Sequence, residues 1–153
     1  MIRLLIFLLI NFGALGIGGL LLGNPATNQW YQSLNKAPWT PAGWVFGAAW
    51  TTIMLCYSVF MWHASGTHTY KTHPALYWLF ALQFLLNVMW NPIFFRWHMM
   101  GAGLIVISAL TLLVAWFAWW GFSHKGTWGL LMLPYLIWLI IATTLNGYAY
   151  FNN

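Results

Sequence analysis

MMGAGLIVISALTLLVAWFAWWGF, residues 99–122, carries no charged side chain. A helix over this stretch would be about 36 Å long, enough to cross ~30 Å of hydrocarbon. Its apolar residues run continuously. The ~10-residue alternating segments of a membrane β-barrel are therefore excluded. Working outward from it, charges and turn residues mark off four further apolar runs near 4–23, 43–63, 74–95 and 127–150. The fold class that follows is all-α: a polytopic membrane protein, a five-transmembrane-helix bundle, in one domain spanning 1–153. Arg3 ahead of the first run resembles the start of a signal peptide. The run is longer than a typical signal core and no small-x-small cleavage site precedes Asn24-Pro25, so it is read as a membrane helix.

Composition points the same way. The chain is 62% hydrophobic and 3% charged, against roughly 25% charged in a soluble domain. It contains no Asp and no Glu. Paired-carboxylate hydrolysis, carboxylate-held Mg²⁺ or Ca²⁺ and acidic proton coupling are therefore ruled out. Arg3, Lys36, Lys71, Arg96 and Lys125 stand singly, so no nucleic-acid surface is expected. Three of them (Arg3, Lys71, Lys125) fall on the N-terminal side and two on the other, a slight positive-inside bias toward a cytoplasmic N-terminus. Cys56 is alone and reads as a small apolar residue. His63, His68, His73, His98 and His124 read as solvated loop histidines, and no metal site is expected.

Residues 24–42 hold Pro25, Pro38 and Pro41 with Trp30, Tyr31, Lys36 and Trp39. Proline excludes most of this loop from regular helix, and its aromatics suggest a lid lying on the membrane. The other connections (64–73, 96–98, 123–126) are short, so consecutive helices are expected to be antiparallel neighbours. Gly19 and Gly23 form a GxxxG whose expected role is packing within the monomer.

Thirteen tryptophans exceed what interfacial belts require, and their spacing suggests a pocket. Phe46, Trp50, Ile53 and Tyr57 recur at helical spacing in the second run, and Pro134, Trp138, Ala142 and Leu145 in the fifth. Gln83, Asn87 and Asn91 are four apart in the third run, flanked by Trp90 and Phe94. Buried amides need partners in hydrocarbon. Two readings stand side by side: interhelical hydrogen bonds, or polar anchors in an apolar ligand cavity.

Three blocks carry a resemblance. WYQSLNKAPWTPAGWVFGAAW (30–50), ALQFLLNVMWNPIFF (81–95) and LPYLIWLIIATTLN (133–146) resemble the first loop with second helix, the third helix and the fifth helix of the TspO/MBR family. The resemblance covers nearly the whole chain. It implies a five-helix bundle with a pocket under the first loop among helices 1, 2, 3 and 5. It also implies a bacterial cell-membrane location. The ligands implied are porphyrins, sterols in some members and benzodiazepine-type compounds. Tyr31, Phe46, Trp50, Asn87, Trp90, Trp138, Ala142 and Leu145 match pocket-lining positions. Trp50 and Trp138 match tryptophans implicated in light-dependent porphyrin breakdown, which makes them the photochemical candidates. Ala37 and Ala42 stand where many members carry Pro, and no Lys or Arg follows Tyr148, which lowers the expectation of sterol binding.

The function expected is a membrane receptor or sensor of tetrapyrroles (protoporphyrin IX or haem), with no obligatory cofactor and no acid–base catalytic site. The macrocycle would stack between Trp50 and Trp138 and take an in-plane hydrogen bond from Asn87. Its propionates would meet Lys36 and Tyr31. Porphyrin photodegradation is a second reading and facilitated movement of lipophilic molecules a third. Membrane lipid and a second copy, as a homodimer, are the expected partners.

Overall fold

A computed structural model of the chain describes residues 2–124 and 126–153. Lys125, one of the five cations, lies outside them. Among the described residues all regular structure is helical: α1 (Ile2–Leu22), α2 (Gln29–Ser33), α3 (Gly43–Thr67), α4 (Pro74–Asn91), α5 (Met100–His124), α6 (Gly126–Leu130) and α7 (Leu133–Asn152). α4 continues into one π-helical turn, Pro92–Arg96. Five stretches are long and apolar enough to cross a membrane: Ile2–Leu22, Gly43–Thr67, Pro74–Arg96, Met100–His124 and Gly126–Asn152.

The helices overrun several of the expected ends. α3 extends through polar Ser65 and Thr67, and α5 through Ser123 and His124. Helical hydrogen bonding does not stop where apolar sequence stops. In the interfacial zone the last turn's carbonyls, which have no partner within the helix, can meet water. The fifth span is two helices, α6 and α7, joined by a turn at Leu131 and Met132. Pro74 and Pro134 each sit in a first helical turn, where a missing N–H leaves no bond unmade.

α1 buries a single stripe, Phe7, Asn11, Ala14 and Gly18, and turns its other faces to lipid. Gly18 lies so close to α4 that an added Cβ would sit 2.8 Å from Asn91 Nδ2. The expectation for Gly19 and Gly23 is corrected here. Neither has any neighbour within reach of an added Cβ. Gly19 is one residue, or about 100°, out of phase with the packed stripe. Gly23 instead ends the helix at φ 71°, donating its N–H to Gly19 O at 3.1 Å, the left-handed terminus glycine favours.

α1 packs on both α3 and α4, α3 on α7, α7 on α5, and α5 on α4. The five spans thus close a ring in the order α1, α3, α7, α5, α4. Consecutive α3 and α4 scarcely approach each other through backbone, contrary to the expectation from their short loop. The small face of α1 fits between them, and they meet through side chains such as Tyr57 and Phe80, whose rings are 5.6 Å apart. Polar side chains tie the ring from inside. Asn11 donates to Ser58 Oγ at 2.9 Å, Gln83 Nε2 to the Tyr135 hydroxyl at 2.7 Å, and Thr111 and Thr143 share a bond at 3.1 Å.

Candidate functional site

The loop after α1 folds back over the end of the ring. It is not wholly irregular, as its prolines suggest. Asn28 caps a five-residue helix, α2, by accepting from Tyr31 N–H, because the three prolines fall outside Gln29–Ser33. Contacts along its length fasten it. Trp30 stacks on His98 at 4.1 Å and meets Phe94 edge-on at 5.6 Å. Asn28 Nδ2 donates to Phe95 O at 3.4 Å. Asn35 N–H donates to Asn153 Oδ1 at 2.8 Å, and Trp39 Nε1 to Thr144 Oγ1 at 3.2 Å. The π-helical turn of the third span brings Phe94 and Phe95 together as consecutive buried rings under this lid.

Beneath it lie two adjoining cavities. The outer, of about 60 Å³, is lined by Tyr31, Lys36, Phe46, Trp90, Ala142, Leu145 and Asn146, with Phe94, Phe95 and lid backbone around them. The inner, of about 40 Å³, is lined by Phe46, Trp50, Asn87, Trp90, Trp138 and Ala142, with Ile107, Leu110 and Leu139. Phe46, Trp90 and Ala142 belong to both linings. All nine residues singled out in the sequence therefore border one cavity or the other: Tyr31, Lys36 and Leu145 the outer, Trp50, Asn87 and Trp138 the inner, and the remaining three both. The nine come from the lid (Tyr31 and Lys36), α3, α4 and α7, and α5 adds Ile107 and Leu110 to the inner lining. α1 contributes no residue to either lining, in contrast to the arrangement the family resemblance implies, because its buried stripe is used against α3 and α4.

Lining is overwhelmingly apolar, so its few polar groups stand out. Asn87 is buried, faces the inner cavity and has no hydrogen-bond partner for its side-chain amide among the described residues. Trp138 is buried with its ring edge-on to Phe46 at 5.1 Å, and Trp50 is edge-on to Tyr135 at 5.9 Å. In the outer cavity Lys36 Nζ sits 4.8 Å from the Tyr31 ring centroid and donates to Gln32 O at 3.3 Å. Burial raises the Tyr31 pKa, so its phenol stays neutral and able to donate at physiological pH.

The three amides of the third span do not share one task. Gln83 pairs with Tyr135, Asn87 faces the cavity, and Asn91 bonds its own helix carbonyls beside Gly18. Each step of four residues advances about 40° around a helix, so Gln83 and Asn91 point about 80° apart. The sequence reading passed over Asn146. Its Oδ1 accepts from Trp90 Nε1 at 3.0 Å, and its Nδ2 donates to Met100 O at 2.9 Å. The available signal was a lone amide inside the fifth apolar run.

The histidines are not separately solvated. His68 and His73 bring their Nδ1 atoms to 3.2 Å, and the His68 and His124 rings are 5.1 Å apart. The reason is that α3 ends, α4 begins and α5 ends at one face of the ring. Among the described residues no three potential ligands converge on a metal position.

Comparison with known families places this architecture. The pattern of the TspO/MBR family matches residues 6–151. The chain belongs to the TspO/MBR family. It is 36% identical over 132 residues to the tryptophan-rich sensory protein of Cereibacter sphaeroides, covering 81% of each chain. It is 30% identical over 140 residues to the tryptophan-rich protein TspO of Archaeoglobus fulgidus, covering 92% of this chain and 90% of that one. The human translocator protein is 34% identical over 126 residues, with 77% of this chain and 71% of that one covered. Family membership and five apolar spans make this TspO/MBR member an integral, multi-pass membrane protein.

Proposed function

We propose that this TspO/MBR protein is a membrane receptor for flat, largely apolar tetrapyrroles such as protoporphyrin IX or haem, bound beneath the lid across the two cavities. The observation that carries this reading is Asn87. The amide makes no protein hydrogen bond yet keeps surface open to the inner cavity, so a ligand rather than the bundle is what it can bond. An amide aimed into an indole-lined space is the usual form of a small-molecule anchor. Trp50 and Trp138 flank the same space and supply ring faces for a planar ligand. Lys36 meets no carboxylate side chain, only Gln32 O and the Tyr31 ring, and its remaining N–H groups can reach an anionic edge at the lid. The relative named a sensory protein agrees with a receptor role.

The test is a protoporphyrin IX titration followed by tryptophan quenching. Asn87→Leu weakens binding about tenfold, the loss of one hydrogen bond of ~1.4 kcal/mol. Affinity equal to wild type would remove Asn87 as the anchor.

A second reading, light-driven oxidation of the bound macrocycle, rests on Trp50 and Trp138 lining the inner cavity. The photoexcited macrocycle passes its energy to dioxygen, and the singlet oxygen formed adds across a methine C=C bond of the macrocycle; the O–O bond and that C–C bond then break to leave two carbonyls, while Trp50 and Trp138 hold the ring in place. Under illumination wild type bleaches bound porphyrin faster than Trp50→Phe or Trp138→Phe. Equal rates would dismiss a specific role for either indole.

A further inference from the structure

Each cavity is small beside the ~300–1,000 Å³ of a site for a drug-sized ligand, and a tetrapyrrole is larger than either. The wall between them consists of Phe46, Trp90 and Ala142. Ala142 carries only a methyl group, with no rotamer to change. Phe46 is pinned edge-on against buried Trp138. Trp90 is half-buried and stacks on Phe94 at 5.3 Å with its plane tilted by 17°. Its one polar atom is held by one bond, to Asn146 Oδ1.

Asn146 is a rigid catch. It is 2% exposed, and its other end is fixed by donation to Met100 O. On its far side is Gly103, where an added Cβ would come within 3.0 Å of Oδ1 and 3.3 Å of Phe94. The amide has nowhere to swing, so its oxygen stays aimed at the Trp90 N–H. The Phe94 ring that supports Trp90 is itself touched by Trp30 of the lid. A lid displacement that moves Trp30 therefore loosens the Trp90 stack from the opposite side.

We propose that Trp90 is a movable partition, latched shut by Asn146, and that this latch sets the size of planar ligand the site admits. Latched, the site is two small chambers. Unlatched, with the indole swung away from the wall, it is one continuous chamber for a multi-ring ligand. The role in ligand selection rests on the receptor reading above; the latch itself does not. Asn146 is thus a positioning residue, acting through Trp90.

The experiment compares wild type, Asn146→Leu, Trp90→Phe and the double variant in detergent or nanodiscs, with two readouts. The first uses no ligand: hydrogen exchange of the Trp90 indole N–H by NMR, assigned by its loss in Trp90→Phe. Asn146→Leu accelerates this exchange at least about tenfold, as expected for loss of a buried bond. The second is the stopped-flow association rate of protoporphyrin IX. Asn146→Leu and Trp90→Phe each raise it about tenfold, and the double variant is no faster than either single, because both remove the same bond. Trp90→Phe keeps the Asn146–Met100 bond and serves if Asn146→Leu fails to fold. Unaltered indole exchange overturns the latch. Faster exchange with an unaltered association rate, or rates that multiply in the double variant, overturns the gating. If wild type shows no protoporphyrin quenching, the receptor reading fails and the exchange measurement still decides the latch.

Discussion

Single polar atoms in an apolar interior carry the sharpest consequences. Tyr57 is fully buried and its hydroxyl has no partner among the described residues. Tyr57→Phe should therefore stabilise the bundle by up to about 1–3 kcal/mol, read as a higher unfolding temperature in detergent; a drop of that size would mean the hydroxyl has a partner. Asn87 leaves its amide unpaired but open to the cavity, so Asn87→Leu should leave ligand-free stability unchanged or slightly higher while lowering protoporphyrin affinity. Loss of both together would mark it as structural. Lys36→Met should weaken protoporphyrin by ~1.5–3 kcal/mol if the propionate bond is shielded, and less if it is wet. A neutral ligand of the same site should lose less, and equal losses would contradict the propionate assignment. At this scale the sequence was informative about which residues border the cavities, because Phe46 and Trp50, like Trp138 and Ala142, repeat at helical spacing. It was uninformative about direction. The 40° drift between amides four apart, and the 100° between Gly18 and Gly19, decide what each touches, and residue spacing alone gives no absolute phase.

Among the elements, helix ends govern behaviour outside hydrocarbon. The end of α3, the start of α4 and the end of α5 meet through His68, His73 and His124. Burial, and then the neighbouring His73 and His124, lower the His68 pKa below its usual 6.5. The folded state thus favours the neutral ring, so stability is present above pH 6.5 and is lost as pH falls through the lowered value. Arg3, which donates to Ser65 O, and exposed Lys71 add positive charge nearby, with no carboxylate side chain to offset it. Unfolding temperature should fall between pH 7 and pH 5, and His68→Asn should flatten the profile; a flat wild-type profile would contradict the coupling. Element existence was legible in the sequence because each span needs about 20 apolar residues. The π-helical turn at Pro92, the break between α6 and α7, and the lid helix were not. Each depends on a local backbone choice inside a stretch whose composition suits several. The ring order was also hidden, since loop length limits where α4 can go without revealing that α1 slots in beside α3.

For the whole molecule, a bundle with 3% charged residues needs an apolar solvent, lipid or detergent, around it. Its exposed Leu, Ile and Trp side chains match an apolar solvent. That leaves the lidded interior as the place where chemistry distinguishes this chain from a generic five-helix bundle. The central claim is that a planar macrocycle occupies the space bordered by both cavities. Ala142 lies in both linings, so Ala142→Phe fills that space while leaving Asn87, Lys36 and the indoles themselves unsubstituted. The most direct measurement is the dissociation constant of protoporphyrin IX for wild type and Ala142→Phe, with circular dichroism and elution volume matched to show that both are folded. The account predicts saturable one-to-one quenching in wild type and at least about a tenfold weaker constant in the variant. Equal constants in two folded proteins would place the macrocycle elsewhere and contradict it.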